Sequence, residues 1–539
     1  MYENSKVQER REREEQATEQ RARIVGLRYF DTRGVDETAE LIPNVLEPKE
    51  MRASHIIPLQ VGGDSTSYIF GVTSVTPQSE MNDLSQIYRD NGKIIVYYLI
   101  SESGYRTLID RYDPPRKTLY DDIIIATEGD SETIESVSKT LDTVGSEDIL
   151  DYLIEQADQL GASDIHIENQ RDNVRIRLRL DGTLHPVAYV SHDKYHVIMA
   201  SIGSRADVST AAVDAQTGHM QHPSVSKPGE VLNMRIETVP TVYGMDVVVR
   251  LFTFDQDLLN LDNLGLDAER KKHVEEVISH PHGMVMMVGP TGSGKSTTLY
   301  SIINALNDTT RKIITLEDPV EIALKGISQI PIDTNRGKTF GENLRAVMRL
   351  DPDVIMVGEI RDVDTAKTAI QASITGHLVL TTFHASSSAA AFARMIDMIG
   401  QNPIFSSAVR MVTSQRLVRK LDDSTKIEFE PDETTKKWII DNLGELPPQI
   451  EKPDLVNIRL WKPGFSDEVP LGYKGRIMIM EQMLITEKIG EFIRGDAVDV
   501  SVQAIEKAAK SEGMVTMMQD GILRCLRGET TLEEINRVI

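Results

Sequence analysis

Apolar residues follow several different rhythms along this chain. After residue 260, short unbroken apolar runs alternate with longer stretches of helical spacing. The runs at 284–288, 312–316, 353–357 and 378–382 predict strands, and the segments 296–306 and 363–374 predict helices between them. That alternation predicts a parallel sheet flanked by helices. The segment from 149 to 255 reads differently. It opens with helical spacing at 149–160, and Val-Arg-Ile-Arg-Leu-Arg-Leu at 174–180 then alternates strictly, as a half-buried strand does. Asp181-Gly182 supplies a hairpin turn, and 247–252 closes the segment with another strand. Between 24 and 117, apolar runs at 55–59, 68–72 and 93–98 interleave with polar, helix-like stretches, which predicts a small α/β domain.

The remaining pieces are polar. Residues 1–22 are dense in Glu, Arg and Gln, with mixed charges at three- and four-residue spacing; they predict a solvated helix or a frayed tail, available as a docking arm for a partner. Residues 127–148 are acidic and rich in Ser and Thr, which predicts a linker. The end is mostly helical, with a capping box at Thr531-x-x-Glu534. The expected segments are therefore a charged tail (1–23), an amino-terminal domain (24–118), an acidic linker (119–148), a middle domain (149–255), a sheet-and-helix core (260–420) and a carboxyl-terminal region (421–539). The whole is of α/β class.

Composition narrows the function. The 539 residues are too many for one core and suggest about three or four domains. Lys plus Arg number 59 against 83 for Asp plus Glu, a formal charge of −24. Such a chain makes a poor general nucleic-acid binder, because affinity for a phosphate backbone needs clustered cations. Cys525 is the only cysteine, so intrachain disulfides and multi-cysteine zinc sites are excluded, which suits the cytosol. No secretory signal is evident, and no stretch reaches the roughly 18 apolar residues of a membrane-spanning helix. Any membrane role is expected to go through a partner.

Residues 289–297, Gly289-Pro290-Thr291-Gly292-Ser293-Gly294-Lys295-Ser296-Thr297, form a complete phosphate-binding loop between a predicted strand and a predicted helix. Its glycines let backbone N–H groups close on phosphate oxygens, and the helix adds its positive end. Lys295 is placed to reach the β- and γ-phosphates and Ser296 to hold Mg²⁺. ATP and Mg²⁺ are the expected ligands. Three polar clusters fall at the ends of other predicted strands: Glu317, within Glu-Asp-Pro-Val-Glu at 317–321; Glu359, after 353–358; and His377 and His384, on either side of 378–382. A strand-end acid alone usually caps a helix or faces water. Beside a phosphate loop, such acids can orient the attacking water or hold the metal through its water shell. Cations for developing charge are scarce there apart from Lys295; Arg235 and Arg250, in the middle segment, are the candidates.

The segments GPTGSGKST, TLEDPVE, DPDVIMVGEIRD and TGHLVLTTFHA resemble the Walker A, Asp box, Walker B and His box of the type II secretion and type IV pilus ATPases. GASDIHIE at 161–168, TVPTVYG at 238–244, QRLVR at 415–419 and GYKGR at 472–476 extend the resemblance over nearly everything after residue 23. The resemblance implies a hexamer whose PAS-like middle domain (149–255) moves against a RecA-like motor domain (260–420). It implies Glu317 as catalytic base and Glu359 as the Walker B acid near magnesium, two roles open to exchange, with His377 and His384 as the His-box residues. Arg235 and Arg250 match family positions that contact the γ-phosphate. Two departures stand out. Residues 420–471 lack the two Cys-x-x-Cys pairs of many relatives, so no zinc is expected, and Trp438, Ile439, Ile440 and Trp461 are candidates to pack that lobe instead. Ala215-Gln216-Thr217-Gly218-His219 stands where a Pro-Gln-Asp-Gly-Arg motif is expected, which puts a polar contact in question.

By resemblance, residues 24–118 match the amino-terminal domain of assembly ATPases, which favours pilus extension or secretion over retraction. The expected function is a homohexameric ATP-hydrolysing motor for type IV pilus assembly. It would lie peripherally at the cytoplasmic face of the inner membrane, on a polytopic platform protein, with cytoplasmic ring or docking proteins as further partners. The alternatives are a type II secretion ATPase, a RecA-like nucleic-acid translocase, disfavoured by the acidic charge, and a scaffold that binds ATP without hydrolysis, disfavoured by the intact acids at 317 and 359.

Overall fold

Each strand expected after residue 260 forms within one residue of its predicted bounds: Gly283–Val288, Ile313–Glu317, Val354–Val357 and Leu378–Phe383. In this computed structural model they lie in a seven-stranded sheet. Its order is Ser328–Pro331, Ile313–Glu317, Val354–Val357, Leu378–Phe383, Gly283–Val288, Val409–Leu421 and Tyr473–Leu484. All neighbours are parallel except the last pair. Alternate residues of Gly283–Val288 feed two separate cores: Met284, Met286 and Val288 one, Val285 and Met287 the other. Coverage of both faces explains why these strands read as unbroken apolar runs. The structure describes residues 2–34, 42, 45–61, 67–112, 120, 122–123, 131–146, 148–252, 255–333, 339–447, 450, 452–466 and 469–539. Among them, no helix is long and apolar enough to cross a membrane.

Residues 1–119 and 120–539 form two compact units. In the first, a four-stranded sheet runs in the order Arg28–Tyr29, Ile94–Leu99, Ser67–Val72, Ile56–Val61, and only the last pair is antiparallel. The charged segment expected as a solvated helix or a frayed tail takes the helical form, within one 24-residue helix, Tyr2–Val25, and that helix docks on this sheet. Its Glu15 is 1% exposed and accepts hydrogen bonds from Tyr29 Oη (2.6 Å), Ser101 Oγ (2.8 Å) and Thr32 Oγ1. A buried carboxylate is tolerated there because three hydroxyls satisfy it.

In the second unit a six-stranded antiparallel sheet runs Thr183–Val190, Val174–Leu180, Asp164–Asn169, Gly244–Phe252, Val231–Thr241, Gln216–Pro223. Its apolar face packs on helices Ile149–Gln159 and His192–Ala206. A third helix, Ser131–Thr143, packs there too, where an acidic linker was expected: Val137 and Leu141 are buried in the same core. The rest of the expected linker lies largely outside the described residues. Asp164, Glu168, Arg175, Arg177 and Arg179 occupy the opposite, polar face and pair with one another.

The boundary expected at 420/421 cuts the strand Val409–Leu421, whose partner Tyr473–Leu484 belongs to the carboxyl-terminal region, so the two segments share one sheet. The intervening lobe is held by an apolar cluster that includes Val418, Ile439, Leu443, Ile458, Leu460 and Ile479, with Trp438 packed against it. Ile440 faces solvent instead, because the helix Glu433–Leu443 turns Ile439 inward. The last helices are tied down by buried ion pairs. Arg270 Nη1 meets Asp520 Oδ1 at 2.6 Å, and Asp520 Oδ2 accepts from Met480 N at 2.9 Å. Thr531 caps the helix Leu532–Val538 by accepting from Glu534 N at 3.3 Å, but Glu534 does not complete the expected capping box. Its carboxylate turns to Arg419 Nη2 (2.8 Å), Arg419 N (2.9 Å) and Arg537 Nη2 (2.7 Å).

Burial opposes the Glu534 charge, but the hydrogen bonds from Arg537 and Arg419 win and lower its pKa from 4.5 to about 2. A depressed folded-state value stabilises the fold above the unfolded value, and the gain is lost as pH falls toward the folded one. Glu534→Gln should therefore cost about 2 kcal/mol at pH 7, allowing for solvent screening. Urea melts of the two proteins should converge as pH drops from about 4.5 toward 2; a gap that stays constant with pH would remove the charge from the explanation.

Candidate functional site

The parallel strands all point their carboxyl ends at one edge of the seven-stranded sheet, where ligands of such sheets bind. The phosphate loop leaves Gly283–Val288 at that edge and enters the helix Lys295–Leu306. Gly289 has φ +151°, and a Cβ there would stand 2.5 Å from Ser293 Oγ and 2.7 Å from the Gln415 carbonyl oxygen. Gly294, the residue before the helix, has φ +87°. Only glycine meets both demands. Pro290, Thr291, Gly292, Ser293, Gly294, Lys295, Ser296 and Thr297 line a cleft of about 1020 Å³. Lys295 Nζ donates to the carbonyls of Gly289 (2.9 Å) and Pro290 (2.8 Å). Burial lowers its pKa; Glu359 opposes that shift and Arg416 adds to it.

The acids separate into two kinds. Glu317 is the last residue of its strand, is 3% exposed, and sits at the cleft floor with its carboxylate turned to Tyr300 Oη, Thr315 Oγ1 and Gln329 Nε2 (3.0 Å). Glu321, four residues on, opens onto the cleft, where its Oε1 accepts from Ser296 Oγ at 3.4 Å. Desolvation and then the Glu317 charge raise its pKa, while Ser296, Arg250 and Lys295 oppose the rise. Sequence reading gave Glu321 no role, although it belongs to the same motif. Glu359 follows Val354–Val357 and accepts from Arg361 Nε at 2.7 Å, with His384 Nε2 3.2 Å from its other oxygen. The described residues hold no ready-made cluster of three or more His, Cys, Asp or Glu side chains. The oxygen donors of Ser296, Glu321 and Glu359 share the cleft and suit a magnesium ion that keeps waters and phosphate oxygens as its other ligands.

His384 and His377 part company. His384 follows the carboxyl end of Leu378–Phe383 and lines the cleft. His377 precedes the same strand, and its carbonyl accepts from Gly283 N (3.2 Å), the residue that begins the strand leading to the phosphate loop. Within one chain His377 therefore lies at the far edge of the sheet, away from the loop.

The polar face of the antiparallel sheet forms the other wall. Arg235 and Arg250 are direct cross-strand partners and both line the cleft. Arg250 Nε meets Asp164 Oδ1 at 3.0 Å and Arg235 Nε meets Glu237 Oε1 at 2.5 Å. Thr217 Oγ1 donates to Glu237 Oε2 at 2.8 Å, so the altered 216–219 segment still supplies a polar contact behind Arg235. Arg416 is a further cation that spacing did not single out. Its Nη1 donates to the Gln415 carbonyl (2.9 Å) and its Nη2 to the Ser386 carbonyl (2.8 Å), beside the phosphate loop.

The family model described as type II/IV secretion system protein matches residues 141–537. The type II secretion system protein E of Xanthomonas campestris is 31% identical over 527 residues, 96% of this chain and 89% of that protein. The type IV pilus assembly ATPase PilB of Pseudomonas aeruginosa is 32% identical over 533 residues, 95% of this chain and 88% of that protein. Among solved structures, the ATPase DotB of Legionella pneumophila aligns with a TM-score of 0.54 at 21% identity, over 74% of this chain and 96% of that one, a likeness of fold.

The tight seat of Gly289 gives a test. Gly289→Ala should weaken binding of a fluorescent ATP analogue at least about tenfold, because the added methyl displaces the loop. Circular dichroism should report an unchanged fold; undiminished binding would show that the loop does not hold phosphate.

Proposed function

We propose, since this chain belongs to the type II/IV secretion system protein family of P-loop ATPases, that it is an ATP-hydrolysing motor that drives assembly of a type IV pilus. The observation that carries the reading is the cleft: a complete phosphate loop faces Glu321, Glu359 and His384 on its own sheet and Arg235 and Arg250 on the other wall. Phosphoryl transfer needs a cradle, an oriented water and cations for developing charge, and little covalent chemistry. Lys295 and the backbone of residues 289–294 would hold the phosphates. Ser296, with Glu359 and Glu321 through water, would hold Mg²⁺, which supplies charge neutralisation when bound. Glu359 or Glu321 would orient the water, and Arg235 and Arg250 would stabilise the departing phosphoryl group.

The working form is proposed to be a homohexamer at the cytoplasmic face of the inner membrane, coupled to a polytopic platform protein and to docking proteins. Movement of the arginine-bearing sheet against the phosphate loop would transmit the energy of hydrolysis. Full-length similarity to a pilus assembly ATPase, amino-terminal domain included, supports the assembly role. Similarity of equal extent to a type II secretion protein supports a second reading, in which the same motor drives protein export.

Two experiments check these readings. Glu359→Gln should bind ATP as the wild type does yet lose turnover by about a hundredfold or more; hydrolysis at the wild-type rate would remove Glu359 from the mechanism. Deletion of the chain in its native host should abolish surface filaments and leave secreted protein unchanged. Lost secretion with intact filaments would decide for the second reading.

A further inference from the structure

A buried polar clamp lies beneath the loop that carries Glu321. Tyr300, on the phosphate-loop helix, is 1% exposed, and its hydroxyl donates to Glu317 Oε2. The same hydroxyl accepts from Glu321 N at 3.3 Å. Gln329, on the neighbouring strand Ser328–Pro331, donates from Nε2 to Glu317 Oε1 (3.0 Å) and to the Ile322 carbonyl (3.0 Å), and its Oε1 accepts from Leu324 N (2.7 Å). Residues 321, 322 and 324 are thus each fixed by Tyr300 or Gln329, and both of those side chains close on the Glu317 carboxylate.

This arrangement does not suit Glu317 as the group that takes a proton from water. Its two oxygens already face three donors, two of them hydroxyls, in a buried setting where leaving any donor unpaired is costly. Nor is Tyr300 there for bulk alone, since a core position with no polar task would be filled as well by phenylalanine. We infer that Glu317, Tyr300 and Gln329 are positioning residues that set the Glu321 carboxylate against Ser296, and so couple the phosphate-loop helix to the acid that faces the nucleotide. The inference rests on the hydrolysis reading above. It gives Glu317, with Tyr300 and Gln329, the task of holding Glu321 in place.

The test is steady-state hydrolysis of Mg²⁺-ATP by the full-length protein. Absence of turnover in the wild type would end the hydrolysis reading itself and is told apart from failure of this inference, which needs an active wild type. Tyr300→Phe, which deletes one hydroxyl, should lower kcat by about ten- to a hundredfold and leave KM for ATP within about threefold, since sub-ångström placement governs the chemical step. Gln329→Met leaves the phosphate-loop helix untouched and should give the same split, which guards against misfolding of the first variant. The double variant Tyr300→Phe/Glu321→Gln should be no slower than Glu321→Gln alone, because residues that act through one another are not additive. Glu317→Gln, which keeps an acceptor for Tyr300, should retain at least about tenfold more turnover than Glu321→Gln. Unchanged kcat in both single variants, multiplicative losses in the double, or a Glu317→Gln defect deeper than that of Glu321→Gln would each overturn the inference.

Discussion

The phosphate loop keeps its shape because Gln415 fills the space beneath it. This side chain is fully buried in the strand Val409–Leu421, next to the strand that feeds the loop. Its Nε2 donates to the Ser293 carbonyl at 2.7 Å, and its Oε1 accepts from Thr298 Oγ1 at 3.1 Å, on the first turn of the following helix. The Gln415 carbonyl packs so closely under Gly289 that a side chain there would collide with it. A loop of backbone N–H groups can pre-organise for an anion only if something stops it from collapsing on its own carbonyls. One glutamine, held by a strand paired on both sides, does this from below.

The same strand extends that control outward. Arg416, the next residue, reaches the Ser386 carbonyl in the segment after His384, and Arg419, further along, is bonded to Glu534 in the last helix. The antiparallel partner Tyr473–Leu484 brings Met480 to Asp520, and Asp520 holds Arg270 in the helix before the first strand of the sheet. The carboxyl-terminal helices are therefore braces on the strand that shapes the phosphate loop. Breaking either buried pair would leave an uncompensated charge in the interior, which costs more than the pair contributes when intact.

Much of this was legible in the residues. The strands that bear the site are covered on both faces, so their apolar runs are unbroken, and glycines at 289 and 294 stand where left-handed backbone or close approach demands them. The histidines show a signal that was present and went unread. Residues on either side of one strand lie at opposite edges of a sheet, and in a parallel sheet only the carboxyl edge carries the ligand, so His384 and His377 could not both meet one phosphate loop within a chain. The helix Ser131–Thr143 went unread for another reason: Ile134, Val137 and Leu141 have helical spacing, but the Ser, Thr and Glu between them suggested a linker. The roles of Gln415, Arg416, Tyr300 and Gln329 were not legible at all. Each depends on a partner brought close by sheet order, and neither spacing nor composition records that order.

Sheet order also explains how the lobe between Leu421 and Tyr473 holds together in a chain without paired cysteines. It leaves and re-enters through two strands that are hydrogen-bonded neighbours, so its ends are already fixed. A segment with tethered ends has lost much of the closure entropy that a metal would otherwise offset. What remains is to bury enough apolar surface, and Ile439, Leu443, Ile458 and Leu460 do this against Val418 and Ile479 of those same two strands. The ring of Trp461 closes over Gly528, which has no side chain to push it away. The lobe's stability then follows the hydrophobic effect, with no call on thiolate chemistry, and its packing reaches the chain segment that Glu534 and Arg419 pin to the sheet.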